Sequence, residues 1–286
     1  MNKKTGQVYS VHTNKYHVKT DNGMVECNAR GLIKFKRDDI VVGDFVEIDG
    51  TAISQVLERK NRFIRPNVCN IDLIVAVICP QPKPDLYLID KLLVNAVKEG
   101  VEVVLVANKS DIIDTEFDKI FAEYNKLGIK TLSISCAKGD NISELKQLLS
   151  NKLSVLAGQS AVGKTSIINA MFSLNLKTGE LSDKIERGKH TTTRSTIFEH
   201  EGIRLIDSPG FAVIDAAVKA NQLQDFYPEY ANVAIKCKFR GCVHISEPDC
   251  MVKQLIESGV LSKERYQRYV EIYKELQNRR IKYEKN

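Results

Sequence analysis

The sequence predicts a multidomain fold with an N-terminal β-barrel, a central α/β domain and a mainly α-helical C-terminal domain. Three observations predict it: short alternating apolar stretches up to residue 58, alternating strand and helix patterns over residues 61–214, and a helical, cysteine-bearing region over residues 215–286. A chain of 286 residues is long for one domain and sufficient for two or three. We therefore predict domains at 1–58, 61–214 and 215–286.

The composition is that of an ordinary soluble protein, with 43% apolar and 27% charged residues. The net charge of +6 permits an RNA partner without demanding one. No apolar run reaches the roughly 18 residues of a membrane span, and the N-terminus has no apolar signal core. An odd, unevenly spread set of seven cysteines argues against a disulfide framework. We expect a cytoplasmic monomer with no membrane partner.

Five short stretches in the first region predict β-strands, and no long helical pattern interrupts them. Asp21-Asn22-Gly23 is a strong turn signal between two of these stretches. Five strands without a helix favour an OB-type barrel. The stretches are Gly6–Val11, Tyr16–Thr20, Met24–Cys27, Asp44–Ile48 and Ala52–Leu57.

The second region alternates strands with helices, which predicts a parallel sheet covered by helices. The predicted strands are Asn70–Cys79, Val101–Ala107, Thr131–Ser135, Leu153–Ala157, Ser195–Glu199 and Ile203–Ile206. The predicted helices are Leu86–Glu99, Glu116–Leu127, Ile142–Leu149 and Ser166–Phe172. The polar, glycine-punctuated stretch from Leu174 to Thr193 predicts a mobile loop.

A complete phosphate-binding loop (P-loop) motif lies between a predicted strand and a predicted helix, the context that supports it over an accidental glycine loop. The motif comprises Gly158, Gln159, Ser160, Ala161, Val162, Gly163, Lys164 and Thr165, with Ser166 next to it in the predicted site. Its backbone N–H groups and the helix N-terminus bind phosphate oxygens. We expect Lys164 to reach the β- and γ-phosphates and the Thr165 hydroxyl to bind Mg²⁺.

Asp207-Ser208-Pro209-Gly210 follows the strand predicted over Ile203–Ile206. Alone, this motif is an ordinary turn. Beside a P-loop, Asp207 is a predicted Mg²⁺ ligand, acting through water, and the Gly210 N–H is predicted to sense the γ-phosphate.

A second strand ends at Asn108-Lys109-Ser110-Asp111, which predicts a base-reading loop rather than a solvated turn. The Asp111 carboxylate can accept hydrogen bonds from guanine N1–H and from its exocyclic amine, neither of which adenine offers, so it excludes ATP. Asn108 and Lys109 would brace the base and the neighbouring loop. Ser135-Cys136-Ala137 is a candidate for the last base-contacting loop, with Ser135 its predicted site residue.

The order of these motifs is informative, because the base-reading motif at Asn108–Asp111 precedes the P-loop and Asp207–Gly210 comes last. In ordinary GTPases the P-loop comes first. The strands can keep their usual places if the domain is circularly permuted, and the phosphate-sensing loops then lie at its C-terminal end. The domain that follows is therefore coupled directly to the nucleotide state.

The basic stretch Arg187–Thr193 lies between the P-loop and Asp207, and we favour Thr192 as the threonine at Mg²⁺ and the γ-phosphate over a plain basic loop. Many GTPases place a water-orienting glutamine directly after the D-x-x-G turn, but this chain has Phe211 there. His190 is the best catalytic candidate in the chain. The alternatives are that His190 only packs or contacts RNA, or that the partner supplies the catalytic group.

Cys237, Cys242, His244 and Cys250 cluster in the third region, with the first two cysteines close in sequence. Three thiolates and one imidazole can bind a tetrahedral Zn²⁺. We favour such a metal site over the alternative that these cysteines are scattered by chance in a helical domain. Four protein ligands leave no open position, so one structural Zn²⁺ per chain is predicted. The helix predicted over Ser262–Tyr283 is more simply a helix docked on its own domain, although Arg279–Lys282 could touch phosphate.

Together these motifs resemble the ribosome small-subunit-dependent GTPase A family of bacteria, over essentially the whole chain. The segments that carry the resemblance are Asn108–Asp111, Gly158–Ser166, Arg187–Thr193, Asp207–Phe211, the cysteine and histidine set, Ala29-Arg30-Gly31 and Asn61–Pro66. Ala161 stands where the family usually has glycine, and Thr165 where it usually has serine. The resemblance implies a late-acting assembly factor that binds the small (30S) ribosomal subunit, an OB fold that contacts rRNA, and GTP hydrolysis stimulated by that subunit.

The sequence thus predicts a GTP hydrolase that binds GTP and GDP with Mg²⁺ and acts as a timer, leaving the immature subunit after hydrolysis. One alternative is a GTP-dependent rRNA-binding scaffold whose hydrolysis is incidental. A third hypothesis, a P-loop ATPase or small-molecule kinase, is disfavoured by Asp111.

Overall fold

The chain divides into two compact units in a computed structural model. The structure describes residues 3–12, 15–29, 40–64, 66–174, 195–207 and 214–283. The first unit is Met1–Pro84 with Val101–Val213, and the second is Asp85–Gly100 with Ile214–Asn286. None of the helices in the described ranges is long and apolar enough to cross a bilayer.

The first five strands form the predicted barrel. They are β1 (Lys3–His12), β2 (Lys15–Thr20), β3 (Gly23–Ala29), β4 (Phe45–Asp49) and β5 (Ala52–Val56). β1 pairs with both β2 and β4, and β3 pairs with β5, so the sheet curls around an apolar centre. That centre contains the fully buried side chains of Val8, Val18, Val46 and Ile53. In β4, the buried Val46 and Ile48 alternate with more exposed residues, as the sequence pattern predicted.

Within the described ranges, eight further strands follow the barrel. The short strands β6 (Arg62–Phe63) and β7 (Val68–Cys69) pair with each other. The others are β8 (Leu73–Ile78), β9 (Glu102–Ala107), β10 (Lys130–Ser133), β11 (Leu153–Ala157), β12 (Thr196–His200) and β13 (Ile203–Asp207). They lie in the order β10-β9-β8-β11-β13-β12. The central strand β8 is buried along its whole length, as expected for a parallel sheet with both faces covered.

Two details of the central sheet differ from the sequence prediction. The predicted strand Asn70–Cys79 is shorter, because Asn70 adopts a left-handed conformation (φ 57°) that ends β7 before β8 begins. The prediction of a parallel sheet is wrong for β12, which runs antiparallel to β13. Only the turn Glu201–Gly202 separates these strands, and so short a connection can join only antiparallel neighbours.

Seven α-helices and one 3₁₀ helix are present among the described residues. The helices are α1 (Leu86–Glu99), α2 (Thr115–Lys126), α3 (Ile142–Leu149), α4 (Lys164–Phe172), α5 (Pro228–Ala234), α6 (Met251–Glu257) and α7 (Lys263–Tyr283), with the 3₁₀ helix at Ala220–Phe226. In the first unit, Leu145 and Leu149 of α3 and Ile167 of α4 pack with the sheet in one apolar core.

Helix α1 belongs to the second compact unit, although its sequence lies between β8 and β9. Its buried Asp90 carboxylate pairs with Arg265 and, at 2.6 Å, with Arg268 of α7. Lys91 of α1 pairs with Glu275 of α7 at 2.6 Å. These ion pairs join α1 to the C-terminal helices.

Candidate functional site: a nucleotide cleft and a metal cluster

The P-loop joins the end of β11 to the start of α4, as the sequence predicts. Gly158 has a φ of +140°, and a Cβ there would lie 2.4 Å from the Val77 carbonyl oxygen. A Cβ on Gly163 would lie 2.2 Å from Asn108 Nδ2. Both positions therefore require glycine, which lets the loop pass close to β8 and to the base-reading loop.

Lys164 folds back over the P-loop. Its ammonium donates hydrogen bonds to the Gly158 and Gln159 carbonyl oxygens, both at 2.7 Å. Thr165 and Ser166 follow in the first turn of α4, where free backbone N–H groups and the positive end of the helix dipole favour phosphate. The loop thus brings a cation and helix N–H groups to one place.

Asn108 connects three parts of the site and is 2% exposed. Its amide nitrogen donates to the Val162 carbonyl oxygen at 2.9 Å, and its amide oxygen accepts from the Cys136 N–H at 3.4 Å. Lys109 has a left-handed backbone (φ 63°), and its ammonium donates to the Gln81 and Ala161 carbonyl oxygens. The base-reading loop therefore braces the P-loop.

Asp111 is oriented by Ser135, which is fully buried. The Ser135 hydroxyl donates to Asp111 Oδ1 at 2.6 Å. This hydrogen bond lowers the pKa of the Asp111 carboxyl, so the group is ionised and acts only as an acceptor at neutral pH. An ionised carboxylate in this position suits a ligand edge that carries two donors, as guanine does.

These loops surround a cleft of about 570 Å³. Its lining residues are Asn108, Lys109, Asp111, Ile112, Cys136, Ala137, Ser166, Asn169 and Ala170. The volume is within the usual range for small-ligand sites. No sequence motif marks Asn169 or Ala170, although both lie one turn beyond the P-loop on α4. That helical spacing was the available signal.

Of the residues predicted to bind Mg²⁺ and promote hydrolysis, Asp207 is described only by its backbone. β13 runs parallel to β11, with Ile206 opposite Val155, so Asp207 ends its strand at the sheet edge that carries the P-loop. The side chain of Asp207 lies outside the described residues. The predicted site residues His190, Thr192 and Gly210, together with Phe211 and residues 175–193 of the predicted loop, also lie outside them.

The four predicted metal ligands come together in the second unit. The Cys237, Cys242, His244 and Cys250 donor atoms all lie within 4.8 Å of one another. His244 Nδ1 is 3.3 Å from Cys242 Sγ, 3.2 Å from Cys250 Sγ and 3.7 Å from Cys237 Sγ. Zn–S bonds of about 2.3 Å in a tetrahedron give ligand separations of about 3.7 Å, so this donor set fits a tetrahedral metal.

The loop that carries the cluster is held by neighbouring side chains. The Tyr266 and Tyr269 hydroxyls on α7 donate to the His244 and Val243 carbonyl oxygens at 2.6 and 2.7 Å. Glu247 accepts hydrogen bonds from the backbone N–H groups of three loop residues. His244 itself is fully buried, and burial lowers the pKa of its imidazole, which favours the neutral form that metal binding requires.

Comparisons with known proteins agree with these observations. The family model described as "RsgA GTPase" matches residues 56–217, and the model described as "RsgA N-terminal domain" matches residues 5–54. A curated protein of Caldanaerobacter subterraneus subsp. tengcongensis, named small ribosomal subunit biogenesis GTPase RsgA, is 35% identical over 282 residues, which cover 95% of each chain.

Two solved structures are similar over nearly the whole chain. The crystal structure of YjeQ from Thermotoga maritima has a TM-score of 0.81 and 33% identity, covering 96% of this chain and 99% of that one. The structure of YloQ, described as a circularly permuted GTPase, has a TM-score of 0.77 and 26% identity, covering 97% and 96%. The motif order at Asn108, Gly158 and Asp207 agrees with that description.

Proposed function

Because this chain belongs to the RsgA GTPase family and is a GTP hydrolase, we propose that it hydrolyses GTP during maturation of the small ribosomal subunit. The observation that carries the proposal is the arrangement at Asp111, where a buried serine orients an ionised carboxylate beside the P-loop. The near full-length similarity to a small ribosomal subunit biogenesis GTPase supports the choice of partner.

In this proposal the chain's own residues bind and orient GTP. Asp111 accepts from the guanine edge, and Asn108 keeps the P-loop in place. Lys164 moves from its own loop carbonyls to the phosphate oxygens. Mg²⁺, when bound with GTP, neutralises charge that develops on the phosphates. Thr165, at the start of α4, and Asp207, at the end of β13, are the residues we propose to hold it.

Slow intrinsic hydrolysis is part of the same proposal. Phe211 has no group that could orient water, so the attacking water must be positioned by another residue. We assign that role to His190 and the γ-phosphate contact to Thr192, both on sequence grounds. The small subunit would stimulate turnover by completing this arrangement.

The metal of the Cys₃His cluster is proposed to be one structural Zn²⁺ per chain. Three thiolates and one neutral imidazole at tetrahedral spacing support zinc, and four protein ligands leave no position for substrate. We also propose that the barrel (1–58) contacts rRNA, that 61–214 is the GTPase domain and 215–286 the zinc-binding domain, and that the protein works as a cytoplasmic monomer.

The test is a GTP turnover assay with purified small and large ribosomal subunits added separately. We expect stimulation by small subunits alone. His190→Ala should abolish the stimulation while GTP binding and subunit binding remain. Equal turnover with and without small subunits would favour the rRNA-binding scaffold. If His190→Ala hydrolyses GTP at the wild-type rate, we would conclude that the partner supplies the catalytic group.

A further inference from the structure

Strand β12 connects the barrel to the magnesium side of the nucleotide site. It pairs with β13 on one edge and with β1 of the barrel on the other. Thr196 lies opposite Asp207 on β13 and opposite Ser10 on β1. These three residues therefore form one row across the sheet, and two strand spacings, about 10 Å, separate the barrel residue from Asp207.

The backbone contact between β1 and β12 is short, with a single registered pair, Ser10 and Thr196. On one side of that pair, toward Gln7 and Glu199, side chains also hold the strands together. Glu199 on β12 accepts hydrogen bonds from the Tyr9 hydroxyl at 2.6 Å and from the Lys19 ammonium at 3.2 Å. Both donors are barrel residues, so one carboxylate joins two barrel strands to β12.

Strand β13 contributes a second polar contact to the barrel. Arg204 lies opposite Glu199 across the β12–β13 ladder and donates to the Gln7 side-chain oxygen at 3.1 Å. Gln7 in turn donates to the Gly43 carbonyl oxygen at 3.1 Å. Gln7 and Tyr9 are 6% and 7% exposed, so these bonds are largely shielded from water. The hydrogen bond from Tyr9 lowers the pKa of Glu199, which keeps the carboxylate charged at neutral pH.

We propose that this barrel junction, formed by Gln7, Tyr9, Lys19, Glu199 and Arg204, couples RNA binding on the barrel to the magnesium side of the nucleotide site. The proposal rests on the proposed function, which places rRNA on the barrel. A shift of β1 moves β12, because the side-chain bonds fix their register. Thr196 transmits the shift to Asp207, its partner on β13. Along the chain, Thr196 lies three residues after Thr193, the last residue of the stretch predicted to contact the γ-phosphate.

The first test measures amide hydrogen exchange with GDP and with a non-hydrolysable GTP analogue bound, without ribosomes. In the wild-type protein, we expect the analogue to change exchange in β12 and also in β1. In Glu199→Gln and Tyr9→Phe, the change should stay in β12 and disappear from β1. The control is Glu102→Gln, since Glu102 pairs with Lys152 at 2.7 Å and lies outside the junction. It should behave as wild type.

The second test measures turnover with small subunits. We expect both junction variants to keep nucleotide affinity, intrinsic turnover and subunit affinity within about twofold of wild type. Stimulation by the subunit should fall about tenfold. The double variant should lose little more than Glu199→Gln alone, because Tyr9→Phe removes a hydrogen bond that Glu199→Gln already weakens.

The two tests distinguish this proposal from the proposed function. If the analogue changes exchange in β12 of the wild-type protein but not in β1, the coupling is overturned, whether or not small subunits stimulate turnover. Full stimulation in both junction variants would overturn it as well. Wild-type protein that shows linked exchange but no stimulation by small subunits would leave the coupling standing and refute the proposed partner.

Discussion

The base-reading residues and the Cys₃His cluster both lie in loops, but different parts of the structure hold the two loops in place. Asn108 and Asp111 follow β9, and backbone hydrogen bonds, such as Ser110 N–H to the Ile134 carbonyl, fix them to the sheet. Residues 235–250, all described, form no helix or strand around the cluster. From this difference we expect that the sheet edge prepares the nucleotide site before its ligand binds, whereas the cluster gains its stability from a bound metal.

Removing one metal ligand is the change with the largest expected effect. Cys242→Ser should lose the metal and, with it, the folding of the second unit, because structural zinc contributes on the order of 10 kcal/mol in small domains. Metal analysis and circular dichroism measure the two losses. Cys136→Ser is the control, since Cys136 lies in the nucleotide cleft and should leave the metal content unchanged. Metal-free wild-type protein purified without chelator would contradict the prediction.

Removing the ion pairs of Asp90 tests whether contacts other than the metal contribute to the stability of the second unit. Asp90→Asn keeps the shape but leaves the guanidiniums of Arg265 and Arg268 without their buried carboxylate. The free energy of unfolding of the second unit should fall by about 3–5 kcal/mol. Urea unfolding measures this loss. Glu116→Gln is the control, because loss of that exposed carboxylate should lower the free energy of unfolding by less than about 1 kcal/mol. Equal losses in both variants would show that burial of the pair has no special role.

Asp111→Asn changes recognition without changing the fold. The amide no longer matches the two donors of guanine, so GTP affinity should fall by about a hundredfold and xanthosine triphosphate should compete. Asp111 is exposed at the cleft, so the unfolding free energy should stay close to the wild-type value. Competition binding measures the preference. An unchanged preference for GTP would remove Asp111 from base recognition.

The smallest expected effect belongs to Ala161. Its φ of 65° is costly for alanine by about 1–2 kcal/mol, while glycine adopts it freely. Glycine also gains entropy in the unfolded chain, so Ala161→Gly should stabilise the first unit by only about 0.5 kcal/mol. Thermal unfolding measures it. The matched reverse change, Gly158→Ala, should destabilise strongly, because its Cβ would meet the Val77 carbonyl. A loss of stability in Ala161→Gly would contradict the strain argument.

Local patterns predicted the parts of the molecule that local sequence determines. Leu86–Glu99 and Ile142–Leu149 have the predicted bounds. Asp85 and Gly100 cap the first helix, whereas apolar periodicity alone marks the second. The bond between Asp111 and Ser135 follows from two strand ends meeting at one edge of a parallel sheet. The Tyr9–Glu199 contact joins residues 190 positions apart, and no local pattern announces such a pair. The packing of α1 with the second unit depends on Asp90 and α7, which a periodic pattern cannot reveal.

The measurement that tests the account most directly is GDP affinity before and after the metal is removed with a chelator. The base-reading loops are positioned by strands and by Asn108, so we expect the dissociation constant to stay within about twofold while helical ellipticity from the second unit is lost. Restoring Zn²⁺ should recover the ellipticity. Loss of GDP binding in step with loss of the metal would contradict the claim that the sheet prepares the nucleotide site by itself.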